Sequence, residues 1–176
     1  MIIRDASPAD LPGIFQIYDD EVLHGTATFD TIPKTPDERE EWFNAHPRDR
    51  YPVLVLEDEW KIAAWGRLYP WSPRPAYARA AENAVYVHKD HRGRRFGHLM
   101  LRELLRRSSA NGICTIVAKI SDNNAASLKL HESLGFRTLG VMERAGEKFG
   151  RIIDVRLMQI HLDQSPGLEM FAAPKA

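Results

Sequence analysis

The sequence predicts an α+β (mixed α/β) fold in which a central, twisted, mixed β-sheet is flanked by helices. Segments with strand and helix periodicity follow one another in the order β-α-α-β-β-β-α-β-α-β-β. A strand-helix-strand stretch lies among antiparallel hairpins, so one sheet is expected to contain both kinds of pairing. The chain has 176 residues, which suits one domain. We place that domain at residues 1–163 and expect a tail at residues 164–176 that is partly ordered at best.

The first third of the chain predicts one strand and two helices. Residues 2–5 form the strand, and Ser7-Pro8 starts a helix with apolar residues at helical spacing. The motif Thr35-Pro36-Asp37-Glu38 starts the second helix and has the spacing of a capping box. The loop between these helices, residues 25–33, carries Phe29, an aromatic side chain that need not belong to the core.

Strands dominate the middle of the chain. Residues 53–56 and 62–69 predict the two strands of a hairpin. Three prolines make residues 70–81 a loop with a restricted backbone. The next strand, residues 83–88, is expected to place Val85 and Val87 on one face and Tyr86 on the other.

The second half alternates helices with strands. The predicted elements are a helix at 96–110, a strand at 113–120, a helix from Asp122 or Asn123 to Gly135, and strands at 136–142 and 152–161. Residues 145–150 are rich in turn formers and are expected to connect the last two strands.

Composition narrows the functional classes. Lys and Arg number 24 and so do Asp and Glu, and this zero net charge disfavours nucleic-acid binding. No apolar run is long enough to cross a bilayer, and the N-terminus with Asp5 lacks the apolar core of a signal peptide. Cys114 is the single cysteine, so no internal disulfide can form. We therefore expect a soluble, cytoplasmic protein that binds neither nucleic acid nor membrane.

An anion-binding turn is predicted where the strand at 83–88 leads into the helix at 96–110. Unpaired N–H groups at a helix N-terminus point toward an anion, glycine permits close backbone approach, and arginine adds charge. A pyrophosphate suits such a turn, although a solvated basic turn has the same composition. The turn and the first helical residues are Arg92, Gly93, Arg94, Arg95, Phe96, Gly97 and His98. The adjacent His88 and His91 have no cysteine partner, so no metal site is expected.

Two motifs together resemble the GNAT superfamily of acyl-CoA N-acyltransferases. The first is Arg92-Gly93-Arg94-Arg95-Phe96-Gly97, in which Arg95 stands where the family usually has glycine. The second begins at Asn123-Asn124 and closes with Leu134-Gly135-Phe136. Upstream, Arg74-Pro75-Ala76-Tyr77 is similar to phosphinothricin acetyltransferase and to its relatives that act on methionine sulfoximine or methionine sulfone.

The resemblance implies acetyl-CoA as co-substrate. Beside the turn residues, the expected cofactor contacts are Val85, Tyr86, Val87, Asn124 and Ser133. The strand is expected to carry a bulge that frees an N–H near Tyr86 or Val87 to stabilise charge on the thioester oxygen.

The resemblance also implies catalytic roles. An ammonium is not a nucleophile, so a base is needed, and Glu82 takes that role unless it is a strand-end carboxylate in solvent. His131 occupies the place where many family members have tyrosine. It is expected either to protonate the leaving thiolate or to be a packing histidine.

The expected substrate is a small amino acid, acetylated on its α-amino group by direct transfer. Arg74 would pair with its carboxylate, Tyr77 and Phe29 would wall the pocket, and Glu82 and Asn83 would complete it. Otherwise Arg74 is a solvated loop residue. The resemblance further implies a homodimer. The alternatives are acetylation of protein N-termini or of another amine, and a CoA-binding module without turnover.

Overall fold

The computed structural model describes residues 1–162, and the predicted tail at 164–176 lies outside them. In chain order the described elements are β1 (Ile2–Asp5), α1 (Leu11–His24), α2 (Pro36–Ala45), β2 (Val53–Asp58), β3 (Lys61–Pro70), β4 (Ala80–Val87), α3 (Phe96–Ala110), β5 (Thr115–Ser121), α4 (Ala125–Ser133), β6 (Arg137–Lys148) and β7 (Arg151–His161). The strands form one sheet in the order β1-β2-β3-β4-β5-β7-β6. The predicted α+β fold with a mixed sheet is confirmed.

The sheet carries a hydrophobic core on each face. On one face α3 packs against strands β2 to β5, with Met100, Leu104 and Ile116 fully buried. On the other face α1 and α2 cover Val53, Val55 and Trp65. Both faces of the central strands are therefore shielded from water, which leaves the strand ends and the gaps between strands as places for a ligand.

The pairing of β4 with β5 is short and decides where the sheet opens. These two strands are parallel and share three residue pairs within the described chain, the last of which joins Glu82 to Val117. Beyond that pair β4 stays with β3 as far as Val87, while β5 stays with β7 as far as Ser121. The two strands therefore diverge and leave a wedge-shaped gap in the middle of the sheet.

Several element boundaries differ from the sequence prediction by a few residues, and three of the differences have a clear physical cause. Strand β4 begins at Ala80 rather than at 83, because its first residues pair with both neighbouring strands. Helix α4 begins after Asn124, whose side chain accepts a hydrogen bond from the Ser127 N–H at 3.0 Å. The expected connection at 145–150 is mostly strand, because the turn needs just Phe149 and Gly150, both with positive φ as a tight hairpin requires.

Candidate active site

A cavity of about 1130 Å³ occupies the gap between β4 and β5 and continues along the start of α3. Its walls are the divergent halves of β4 and β5, the first turns of α3 and α4, and the loop that follows α1. Most residues predicted to bind a cofactor or substrate contribute to its lining. The cavity therefore brings together segments that lie more than 100 residues apart in the chain.

The edge of β4 that faces the gap is made of backbone. His88 N–H donates to Ala63 O at 2.9 Å and Trp71 N–H donates to Ala80 O at 3.3 Å, so the even-numbered residues of β4 pair with β3. The N–H groups of Val85 and Val87 consequently point toward the gap. The register of β4 on β3 is continuous from Ala81 to Val87. The predicted bulge is thus wrong: divergence of β5 exposes these N–H groups, and the N–H of Tyr86 faces β3.

The N-terminus of α3 presents a row of free donors at one end of the cavity. The N–H groups of residues 93–98 donate to no acceptor within residues 1–162. Gly93 and Arg95 make this geometry possible with φ values of 79° and 64°. Consecutive free N–H groups at a helix start form a binding site for phosphate groups.

The arginine side chains of this turn have acidic partners of their own. Arg92 is paired with Glu21, and Arg94 lies 2.8 Å from Asp58 and over the Phe96 ring. The Arg94 side chain does not line the cavity, in contrast to its predicted role in cofactor binding. This turn can therefore hold an anion through the backbone N–H of Arg94 rather than through its guanidinium.

Glu82 lies where β4 and β5 separate, and its side chain is buried. Its carboxylate accepts a hydrogen bond from the Tyr69 hydroxyl and lies 2.8 Å from Lys119 Nζ on β5. The ammonium of Lys119 offsets the desolvation of the carboxylate. Burial, and next the charge of Glu82, raise the pKa of Tyr69, so that Tyr69 remains a hydrogen-bond donor. The Glu82 carboxyl group is thus held between Tyr69 and Lys119 where the two strands separate.

His131 is buried beneath the neighbouring Asn83. Its Nδ1–H donates to Ser127 O at 2.8 Å, and its Nε2 accepts from the Asn83 amide at 3.0 Å. Burial lowers the pKa of His131 to about 4. This geometry does not favour the predicted proton-donor role, because Nε2 has no proton to give and is already occupied. It favours an orienting role, in which His131 holds the Asn83 amide at the edge of the cavity.

The loop after α1 covers the end of the cavity near Glu82. Phe29 on this loop lies against Gly146 of β6, where a Cβ would overlap its ring. Lys148 of β6 is buried and donates to the carbonyls of Thr28 and Glu21 at 2.8 and 3.0 Å. Strand β6 therefore holds Phe29 at the cavity wall, and its role in substrate binding stays a prediction.

Arg67 of β3 also reaches this end of the cavity. Its guanidinium lies 4.6 Å from the centre of the Tyr69 ring and 5.2 Å from that of Trp42. Its Nε is buried without a hydrogen-bond partner, and no carboxylate within residues 1–162 forms an ion pair with it. Arg67 is thus a cation held in place by aromatic rings rather than by acids.

The structure separates the predicted site residues into two groups. The cavity is lined by Phe29, Glu82, Asn83, Val85, Tyr86, Val87, Arg92, Gly93, Arg95, Phe96, Gly97, His98, Asn124, His131 and Ser133. Arg74 and Tyr77 lie outside it, exposed on the turn between β3 and β4, because the proline-rich connection carries them beyond the sheet. Within one copy of the chain, these two residues do not wall the pocket.

Three residues of the site escaped the sequence analysis: Arg67, Tyr69 and Lys119. Alternation along β3 places Arg67 and Tyr69 on one face, and this much was readable from the sequence. Their position beside Glu82 depends on the register of β3 on β4, which pairs Tyr69 with Glu82 across the connection at residues 71–79. Within residues 1–162, no three His, Cys, Asp or Glu side chains form a cluster that could hold a metal. No helix in that part of the chain is long and apolar enough to span a bilayer.

Comparison with known proteins gives consistent matches. Residues 14–136 match the sequence model of the acetyltransferase (GNAT) family. The chain is 41% identical over 162 residues to the L-methionine sulfoximine/L-methionine sulfone acetyltransferase of Pseudomonas paraeruginosa, which covers 92% of this chain and 94% of the relative.

Two solved structures show the same fold. A GNAT superfamily phosphinothricin acetyltransferase from Sinorhizobium meliloti, in complex with acetyl-CoA, matches with a TM-score of 0.87 and 32% identity over 91% of this chain and 87% of that one. The ribosomal-protein-alanine N-acetyltransferase from Brucella melitensis matches with a TM-score of 0.88 and 34% identity over 92% and 99% of the two chains.

The left-handed conformation of Arg95 predicts that replacement by glycine stabilises the fold. We expect Arg95→Gly to raise the free energy of unfolding by up to about 1 kcal/mol, because glycine adopts this φ without steric cost. Gly93→Ala introduces a Cβ at a similar φ and should lower stability by a similar amount. Urea denaturation of both variants measures the effect, and a destabilised Arg95→Gly variant would contradict it.

Burial of neutral His131 predicts a loss of stability in mild acid. The unfolded chain binds a proton at this histidine near pH 6.5, whereas the folded chain binds it near pH 4. Unfolding free energy should therefore fall as pH drops from 6.5 to 4, with a contribution of about 3 kcal/mol from His131. Urea denaturation across this range should give a smaller slope for His131→Gln than for the parent chain. Equal slopes would show that His131 titrates normally.

Proposed function

This chain belongs to the acetyltransferase (GNAT) family, and we propose that it transfers the acetyl group of acetyl-CoA to the α-amino group of a small amino acid. The family resemblance found in the sequence is confirmed by the match over residues 14–136. The observation that carries the proposal is the position of Glu82. This buried carboxylate lies where the gap between β4 and β5 closes, in the same cavity as the donor row of α3.

The cavity fits acetyl-CoA on three counts. The free N–H groups of residues 93–98 suit the pyrophosphate. The exposed N–H groups of Val85 and Val87 suit the pantetheine arm, which can pair with β4 like an added strand. The volume of about 1130 Å³ leaves room for a second substrate beside the thioester.

The proposed reaction forms a C–N bond and breaks a C–S bond. Glu82 accepts the proton that the substrate ammonium must lose before its nitrogen can attack the thioester carbon. A backbone N–H of β4, at Val85 or Val87, stabilises the negative charge that develops on the thioester oxygen. CoA leaves as the thiolate, and no acid from this chain is required for that step.

The residues around Glu82 hold its side chain in place. Lys119 Nζ lies 2.8 Å from the carboxylate, and the Tyr69 hydroxyl donates a hydrogen bond to it. Asn83, oriented by His131, offers its Oδ1, which is buried without a hydrogen-bond partner in the described chain. That oxygen suits an N–H of the substrate or of the pantetheine arm.

The proposed substrate class follows from the relatives. Relatives at 41% and 35% identity are named as acetyltransferases of methionine sulfoximine and methionine sulfone and of phosphinothricin. All three are small amino acids with a tetrahedral, oxygen-bearing side-chain group. We place the reaction in the cytoplasm, where a reducing environment suits the unpaired thiol of Cys114.

Removing the carboxylate of Glu82 tests the proposed base. We expect Glu82→Gln to lower kcat for methionine sulfoximine by about 10²-fold to 10⁴-fold, because the amide cannot accept the proton. The affinity for acetyl-CoA, measured by calorimetry, should be nearly unchanged. Glu132→Gln alters an exposed carboxylate outside the cavity and should retain full activity. Full turnover by Glu82→Gln would remove Glu82 from the mechanism.

A substrate panel separates the competing functions. It contains methionine sulfoximine, methionine sulfone, phosphinothricin, common amino acids and a peptide with an N-terminal alanine. Turnover of the peptide alone would favour acetylation of protein N-termini, the activity for which the Brucella melitensis structure is named. Tight binding of acetyl-CoA without turnover of any amine would favour a CoA-binding module.

We also propose that the protein is a homodimer that uses strand β6. This strand is 12 residues long, lies at the edge of the sheet and has exposed residues from Arg137 to Ala145. Leu139, Val141 and Met142 are exposed there by 41–50%. A long edge strand with exposed apolar side chains favours pairing with a second chain.

Charging the edge strand tests this interface. Val141→Lys should convert the dimer into a monomer, because lysine disfavours close contact between two such edges. Trp60→Lys removes a more exposed apolar residue, at the β2–β3 turn, and should leave the dimer intact. Sedimentation equilibrium measures both variants. A monomeric parent chain, or a Val141→Lys variant that remains dimeric, would contradict the proposal.

A further inference from the structure

We propose that Arg67 binds the α-carboxylate of the amino-acid substrate. This inference rests on the proposed amino-acid acetyltransferase function and names the residue that selects its substrate class. It replaces the expectation that Arg74 holds the carboxylate, since Arg74 lies on an exposed turn outside the cavity.

The register of β3 on β4 places Arg67 next to the catalytic carboxylate. Tyr69 is opposite Glu82, and Arg67 is opposite Ala84. Residues two apart on a strand share a face and lie roughly 7 Å apart, so Arg67 and Glu82 face the same side of the sheet as neighbours. The α-amino and α-carboxylate groups of an amino acid are attached to one carbon. A substrate with its amine at Glu82 can therefore place its carboxylate at Arg67.

Ala84 provides the space that this arrangement needs. It is the small residue between Glu82 and Tyr86 on the face of β4 that these two residues share, and it lines the cavity. A larger side chain at this position would fill the volume in front of the Arg67 guanidinium. The pair Arg67 and Ala84 thus forms a cationic recess beside the base.

The charge of Arg67 is available for a ligand. Three other cations of the cavity lining are paired with acids: Lys119 with Glu82, Lys89 with Asp20 and Arg92 with Glu21. Arg95 and Lys129 also line the cavity without an ion pair in the described chain, but they lie at the start of α3 and on α4 rather than next to Glu82 on the paired strands. Asp30 is also near, but it accepts from the Tyr18 hydroxyl at 2.8 Å and is not ion-paired with Arg67 in the described chain. A guanidinium fixed by two aromatic rings can present two N–H groups to a carboxylate with little loss of entropy.

The experiment compares an amino acid with its amide. Methionine sulfoximine and its α-carboxamide are assayed with the parent chain, Arg67→Met and Arg151→Met. Arg67→Met should lower kcat/KM for the free acid by about 10-fold to 100-fold, mainly through KM, because one charge-assisted contact is lost. It should change kcat/KM for the amide by less than about 3-fold. Arg151 is exposed on β7 away from the cavity, and its replacement should affect neither substrate.

Several outcomes would overturn the inference. Equal losses for acid and amide would give Arg67 a structural role, and no loss would remove it from the site. An acid-specific loss in Arg74→Met, with none in Arg67→Met, would assign the carboxylate to Arg74.

A binding measurement separates this inference from the proposed function. If the parent chain acetylates no amine, the proposed function fails. Calorimetric titration of methionine sulfoximine into the CoA-loaded protein still tests whether Arg67 binds the carboxylate. Binding to the parent chain that is lost in Arg67→Met supports the inference. Equal binding to both proteins, or no binding to the parent chain, overturns it.

Discussion

The functional architecture depends on the place where two parallel strands stop pairing. β4 and β5 are joined through three residue pairs and then diverge after Glu82 and Val117. The divergence exposes backbone donors along β4 without a bulge and opens a cavity between two well-packed halves of the sheet. The same point positions Glu82 and Lys119 opposite one another, since they lie on the two separating strands. The exposed edge of β4 and the position of Glu82 thus have one structural cause.

The two ends of the cavity offer positive charge by different physical means. At the start of α3 the backbone supplies it: positive φ values orient a row of N–H groups that have no acceptor within residues 1–162, while Arg92 and Arg94 are paired with Glu21 and Asp58. Near Glu82, a single guanidinium stacked on aromatic rings carries the charge. The backbone donors do not depend on side-chain identity, whereas the charge near Glu82 depends on one residue, Arg67.

The parts of the site that are local in sequence were predictable, and the parts that depend on register were not. The turn from Arg92 to His98 combines a strand end, glycines and a helix start within a few residues, so its chemistry is visible in the sequence. Tyr69 meets Glu82 through a pairing across the connection between β3 and β4, and that pairing is fixed by tertiary packing. Arg74 and Tyr77 lie on this connection, and the sequence does not show that it carries both residues out of the cavity. The burial of His131 under Asn83 was also not predictable from the sequence, because it depends on the contact between α4 and β4.

The short β4–β5 junction has a thermodynamic consequence for the whole molecule. The sheet consists of two blocks, β1 to β4 and β5 with β7 and β6, which share few interstrand hydrogen bonds with each other. A co-substrate bound between the blocks stabilises their association, since it supplies hydrogen bonds and contacts that neither block can supply alone. By linkage, the free energy of unfolding then rises with the logarithm of the co-substrate concentration. Thermal stability and resistance to proteolysis are therefore expected to increase with the concentration of acetyl-CoA.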